Sequence, residues 1–159
     1  MKPRKELIFF ALIVPMLLSA QTLSKVDGQL AYEKLGTLLK QGTVAKVKVL
    51  HVNDSTETRV AITRQALRSL ATFNQDFSEH IGEKFGSLFS EVSVKKESQR
   101  PDCRWGVFLY DAQGQEVGFF IVDKFGDRGY VNDEIVLFKM SPPASNLAKL
   151  LHRITNRED

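Results

Sequence analysis

The sequence predicts an α+β domain, and three observations carry that reading. Asp-x-x-Gly occurs twice, at Asp111–Gly114 and Asp123–Gly126, with dense apolar runs on either side. Apolar residues elsewhere recur at helical spacing, and the lone cysteine, Cys103, excludes any internal disulfide, so packing must hold the domain together.

The Asp-x-x-Gly pairs are read first as turns. Asp at the first position and Gly at the fourth suit a type I turn followed by a left-handed residue. With Ala112–Gly114 as the first loop, Trp105, Val107 and Leu109 are expected opposite Ile121, Phe119 and Val117, and Gly106 and Phe108 opposite Phe120 and Gly118. With Lys124–Gly126 as the second loop, Phe119 is expected to meet Val131 and Phe120 to meet Tyr130, which sets Asp123 facing Asp127. Asn132-Asp133 then makes a two-residue turn into EIVLF, completing an antiparallel β-meander over about residues 92–138, with Val92 and Val94 at its start. In this register Phe108, Phe120, Val122, Tyr130 and Ile135 share one face, and Phe108, Phe120 and Tyr130 are its candidate binding surface or dimer contact.

The remaining elements follow in chain order. Ala31, Leu35, Leu38 and Leu39 predict a helix from Gly28 to Gln41, stopped by Gly42. Alternation in VAKVKVLHV and ETRVAIT, separated by NDST, predicts an N-terminal β-hairpin. Thr63 is expected to cap a helix bearing Leu67, Leu70 and Ala71. Phe77, Ile81, Phe85, Leu88 and Phe89 fit a helix from about Asp76 to Glu91, with a strand over Phe73–His80 leading into a shorter helix as the alternative. KKESQRPD is a polar connection, and Leu147, Leu150, Leu151 and Ile154 predict a last helix behind the prolines of SPPAS. Three to four helices therefore pack with the sheet around one core spanning residues 28–156.

The N-terminus points to export. Lys2, Arg4 and Lys5 precede an uncharged run from Leu7 to Ala20, the order of a cleavable signal peptide over residues 1–20, followed by a flexible lead-in over 21–27. Removing residues 1–20 takes three of the 22 basic residues and one of the 19 acidic ones, leaving 19 against 18. A nucleic-acid binder usually shows a concentrated positive face, and a nearly neutral exported chain is not expected to meet nucleic acid. The expected location is the periplasm or extracellular space, with no stable membrane insertion after cleavage.

Catalytic chemistry is weakly signalled. Cys103 with His51, His80 or His152 would be the components of a thiol enzyme, and no nucleophile elbow, zinc-protease helix motif or phosphate loop is present. Three scattered histidines do not space a metal site, and no cofactor is expected. Asp123 and Asp127 are candidates for a cation, against the structural reading that they bind their own turn amides. Asn53-Asp54-Ser55 is an N-glycosylation triplet in an expected turn.

These observations favour an exported, soluble, non-catalytic binding or interaction domain, monomeric or weakly dimeric, whose partner is a protein or a small ligand. The alternatives are a small thiol- or carboxylate-dependent hydrolase and a periplasmic structural subunit that dimerises through an aromatic sheet face.

Overall fold

The computed structural model describes residues 27–141 and 146–155. The expected signal segment and almost all of the lead-in lie outside them. Within them four helices, α1 (Asp27–Lys40), α2 (Arg64–Leu70), α3 (Ile81–Ser90) and α4 (Leu147–Ile154), accompany seven strands. The strands are β1 (Lys46–His51), β2 (Phe73–Phe77), β3 (Val92–Lys96), β4 (Cys103–Tyr110), β5 (Glu116–Asp123), β6 (Arg128–Val131) and β7 (Glu134–Met140). They form one antiparallel sheet in the order β2-β1-β4-β5-β6-β7-β3, so the domain is α+β.

Local chemistry explains most of the helix boundaries. The Thr63 hydroxyl accepts a hydrogen bond from the Ala66 amide at the start of α2, and the Asn146 side chain accepts from the Lys149 amide at the start of α4. Gly42, at φ +70°, follows α1 as a left-handed stop. Tyr32 of α1 donates its hydroxyl proton to the Leu88 carbonyl of α3 at 2.7 Å, which ties these two helices together.

The sheet is covered unequally. One face carries α1, α3 and α4, whose Tyr32, Leu35, Phe85, Leu88, Leu147 and Leu151 pack on Val47, Val49, Trp105, Val107, Phe120 and Val122. Among the described residues, the other face carries only the two-turn α2 and the segment before it, through Leu67, Ile62 and Val52 against Leu50, Cys103, Phe108, Phe119 and Ile121.

The four-stranded meander β4–β7 stands as the sequence predicts, and Val131 pairs with Glu134 around the two-residue turn. Its internal register departs from expectation. At the first turn Tyr110 pairs with Glu116, as expected, but Leu109 then pairs with Gly118, so Val117 is the extra residue of a β-bulge. Beyond it Val107 pairs with Phe120 and Phe108 with Phe119, one residue away from the predicted match. Gly118 is where this bulge finds room, because a Cβ there would come within 2.3 Å of Leu35 Cδ2 on α1. The slip carries into the next pair: Phe120 meets Val131 and Ile121 meets Tyr130. The Asp127 carbonyl accepts the Phe138 amide at 2.7 Å, so Asp127 joins the β6–β7 ladder instead of facing Asp123. A one-residue slip exchanges the faces of a strand. Phe120 and Val122 accordingly face the helices, while Phe119 and Ile121 lie with Phe108.

Three further expectations are corrected. Residues 57–63 do not form a hairpin with β1, whose two neighbours are β2 and β4. That segment instead crosses the sheet face, burying Ile62, which accepts the Cys103 amide on its carbonyl, and leaving Val60 exposed. The long helix over 76–91 is replaced by its alternative, β2 followed by the shorter α3, with left-handed His80 (φ 52°) between them. Phe77 and Ile81 still reach one core, and the Phe77 and Phe85 rings meet edge to face at 5.2 Å. β3 does not open the meander; it pairs with β7 at the far edge, and residues 97–102 carry the chain back across the sheet to β4.

Candidate functional site

The sheet itself separates the components of the expected thiol site. The register shift between Cys103 and Trp105 makes Arg104 an extra residue on β4, so Cys103 and Trp105, two apart, face opposite sides. Cys103 packs with Leu50, Val52 and Ile62 and is fully buried. Burial, with the nearby carboxylates of Asp102 and Asp123, pushes its pKa up to about 12, the opposite of an activated thiol. His51 lies on the helix-covered side, stacked on the Trp105 ring at 3.9 Å, and His152 of α4 meets the same ring edge-on at 4.6 Å. His80 is exposed at the start of α3, 3.6 Å from Glu83. The geometry brings His51 and His152 together and leaves Cys103 and His80 apart from them.

The two aspartate turns are built alike, and their chemistry is internal. Asp111 Oδ1 accepts the amides of Gln113 and Gln115, and Asp123 Oδ1 accepts those of Phe125 and Asp127. Each turn closes with a left-handed glycine, Gly114 at φ +76° and Gly126 at φ +72°. Asp123 is nearly buried opposite Cys103, and that burial raises its carboxyl pKa. Among the described residues no three His, Cys, Asp or Glu side chains are grouped to hold a metal ion.

The expected aromatic surface is divided by the register. Phe108 is fully buried beneath α2, Tyr130 is half-exposed on the same face, and Phe120 is buried on the opposite face against Tyr32.

What remains open on the α2 side is a strip of cations laid on aromatic rings. The Arg64 guanidinium lies 3.7 Å from the Phe119 ring centre, Arg68 lies 4.4 Å from that of Phe108, and Lys46 Nζ lies 4.9 Å from that of Tyr110. Glu116 accepts a charge-assisted hydrogen bond from each of Arg64 and Arg68, which sets both guanidinium planes. Lys46 and Lys48 share Asp76, at 3.5 and 3.1 Å. Beside them is a shallow depression of about 260 Å³ lined by Lys48, Leu50, Arg68, Asn74, Phe108 and Tyr110. An adjoining one of about 450 Å³ runs along Arg64, Gln65, Arg68 and Glu116.

Four cations therefore meet three carboxylates, Asp76, Glu116 and, 4.0 Å from Arg64, Asp133, on a floor of mixed polar and apolar surface. Such a strip can hold an anionic or planar group by paired hydrogen bonds from guanidinium planes already oriented. Sequence reasoning missed it, although two signals were present. Lys-Val-Lys alternation puts Lys46 and Lys48 on one side of β1, and Arg64 and Arg68 are four apart on a helix.

The chain matches no family model, and neither the curated proteins nor the solved structures include one similar to it. No helix among the described residues is long and apolar enough to cross a membrane.

Proposed function

We propose that the chain is an exported, non-catalytic binding domain that recognises a carboxylate-bearing surface of a protein partner through the Arg64–Arg68 strip. The observation carrying this reading is the pair of guanidinium groups, each laid on a phenylalanine ring and both held by Glu116, with Arg68 at the rim of one open depression and both arginines along the adjoining one. Pre-oriented arginine is costly to maintain on a bare surface and favourable for planar anion recognition, because little side-chain freedom remains to be lost on binding. Two further features support a binder over a hydrolase. The thiol lies on the opposite side of the sheet from His51 and His152, with His80 exposed apart from it at the start of α3, and the thiol pKa is raised. The reading of export rests on the basic-then-apolar order of residues 1–20.

The test compares the tagged wild-type chain with Arg64→Ala/Arg68→Ala in capture from the exported fraction, and in calorimetric titration with a glutamate-rich peptide. Capture and peptide binding that weaken with salt and fall about tenfold or more in the double variant support the strip. A partner retained equally by the double variant, or the absence of any peptide binding by the wild type, sinks it.

A further inference from the structure

The two edges of the sheet are treated differently by the sequence. At the β3 edge, Lys95 and Lys96 are exposed, and the outward-facing Val94 amide is occupied by Gln29 Oε1 of α1 at 2.6 Å. Charge and coverage are the usual defences of a strand that must not pair. At the β2 edge, Phe73-Asn74-Gln75-Asp76-Phe77 has no lysine, proline or bulge, and its three central residues are exposed.

The outward groups of β2 follow from the ladder. The Val52 amide donates to the Arg104 carbonyl, which makes His51–Trp105 a non-hydrogen-bonded pair and turns the even residues of β1 toward β4. The odd residues of β1 then bond to Phe73, Gln75 and Phe77 of β2. Asn74 and Asp76 are left with N–H and C=O pointing away from the sheet.

The geometry points to this edge as the contact with a second copy of the chain, β2 pairing antiparallel with β2 about a twofold axis at Gln75. The strand reads the same by class in both directions, so Asn74 falls opposite the partner's Asp76 and Phe73 opposite the partner's Phe77. The outward groups at Asn74 and Asp76 supply four backbone hydrogen bonds across the axis. No like charges meet: each Asp76 carboxylate, already beside Lys46 and Lys48, faces an amide that can donate to it. Shifting the register by two residues to match Asp76 with itself would oppose two carboxylates. The result is a continuous fourteen-stranded sheet, twice the seven of one chain. Five residues per side make a small contact, so the dimer is weak and reversible.

The experiment is sedimentation of the full chain, recovered from an exporting host, over a concentration series. The wild type should show a monomer–dimer equilibrium. Asp76→Pro removes an outward N–H without removing a bond to β1, and Gln75→Lys sets like charges at the axis while leaving the backbone intact; each should raise the dimer Kd about tenfold or more. Gln75 and its mate form a non-hydrogen-bonded pair with Cα atoms about 4.5 Å apart, within disulfide range. The Q75C variant should therefore yield a linked dimer under mild oxidation, while the wild type, with Cys103 buried, does not. A wild type that stays monomeric to millimolar concentration, a dimer indifferent to Gln75→Lys, or a Q75C variant that fails to link overturns the inference.

Discussion

Gly126 lies directly beneath the first turn of α4: a Cβ on it would stand 2.5 Å from the Ala148 nitrogen and 2.8 Å from that of Leu147. The second aspartate turn is thus both the end of a hairpin and the seat of the last helix. Gly126→Ala should lose about 1–2 kcal/mol for its left-handed conformation, and more for the backbone it displaces. The same substitution at Gly114, equally left-handed but with nothing within 4 Å, should show only the conformational part. Thermal unfolding of the two variants side by side checks this, and an equal loss would contradict the seating of α4.

Helical glycines should respond with opposite signs. Gly86 in α3 has open space where a Cβ would go, so Gly86→Ala should stabilise by about 1 kcal/mol through helix propensity alone. Gly36 in α1 lies 2.8 Å from the Phe89 Cβ by the same construction, so Gly36→Ala should destabilise. Urea midpoints at constant slope would report both.

Cys103 should be silent to a thiol reagent in the folded protein and react only on unfolding. Its folded pKa is raised to about 12, so the folded state keeps a proton that the unfolded state releases at a lower pH. Its contribution to stability is therefore fully present below the ordinary thiol pKa and is lost as pH rises toward about 12. Cys103→Ala should flatten the decline of stability above pH ~9. A wild-type rate of labelling at pH 8 comparable to that of a free thiol would refute the burial argument.

The outline of the fold was legible because its signals are local. Thr63 caps a helix by its hydroxyl, the aspartates fold their own turns, and Asn132-Asp133 makes a tight reversal, all within a few residues of sequence. The register was not legible. Residues 117–122, VGFFIV, offer an apolar or glycine residue at every position, so either phase of the strand gives two coherent faces. The deciding contact is Gly118 under Leu35 of α1, far away in the chain. The expected hairpin partner of β1 failed for a similar reason, since β1 takes both neighbours from beyond the run that follows it. The candidate strip was hidden because Arg64 and Arg68 become a site only when Glu116 and two rings from β4 and β5 arrive beneath them.

The placement of β3 beside β7 also sets a timetable for the nascent chain. β3 is made before β4, yet among the described strands its one neighbour, β7, is the last to be synthesised, and residues 97–102 must already lie across the sheet when the two meet. Closure of the domain therefore waits on long-range pairing, which is slow relative to hairpin formation. A ribosome-bound chain truncated before Glu134 can assemble β2-β1-β4-β5-β6 but leaves Val92 and Val94 without a ladder, so acquisition of protease resistance should track emergence of β7 and α4.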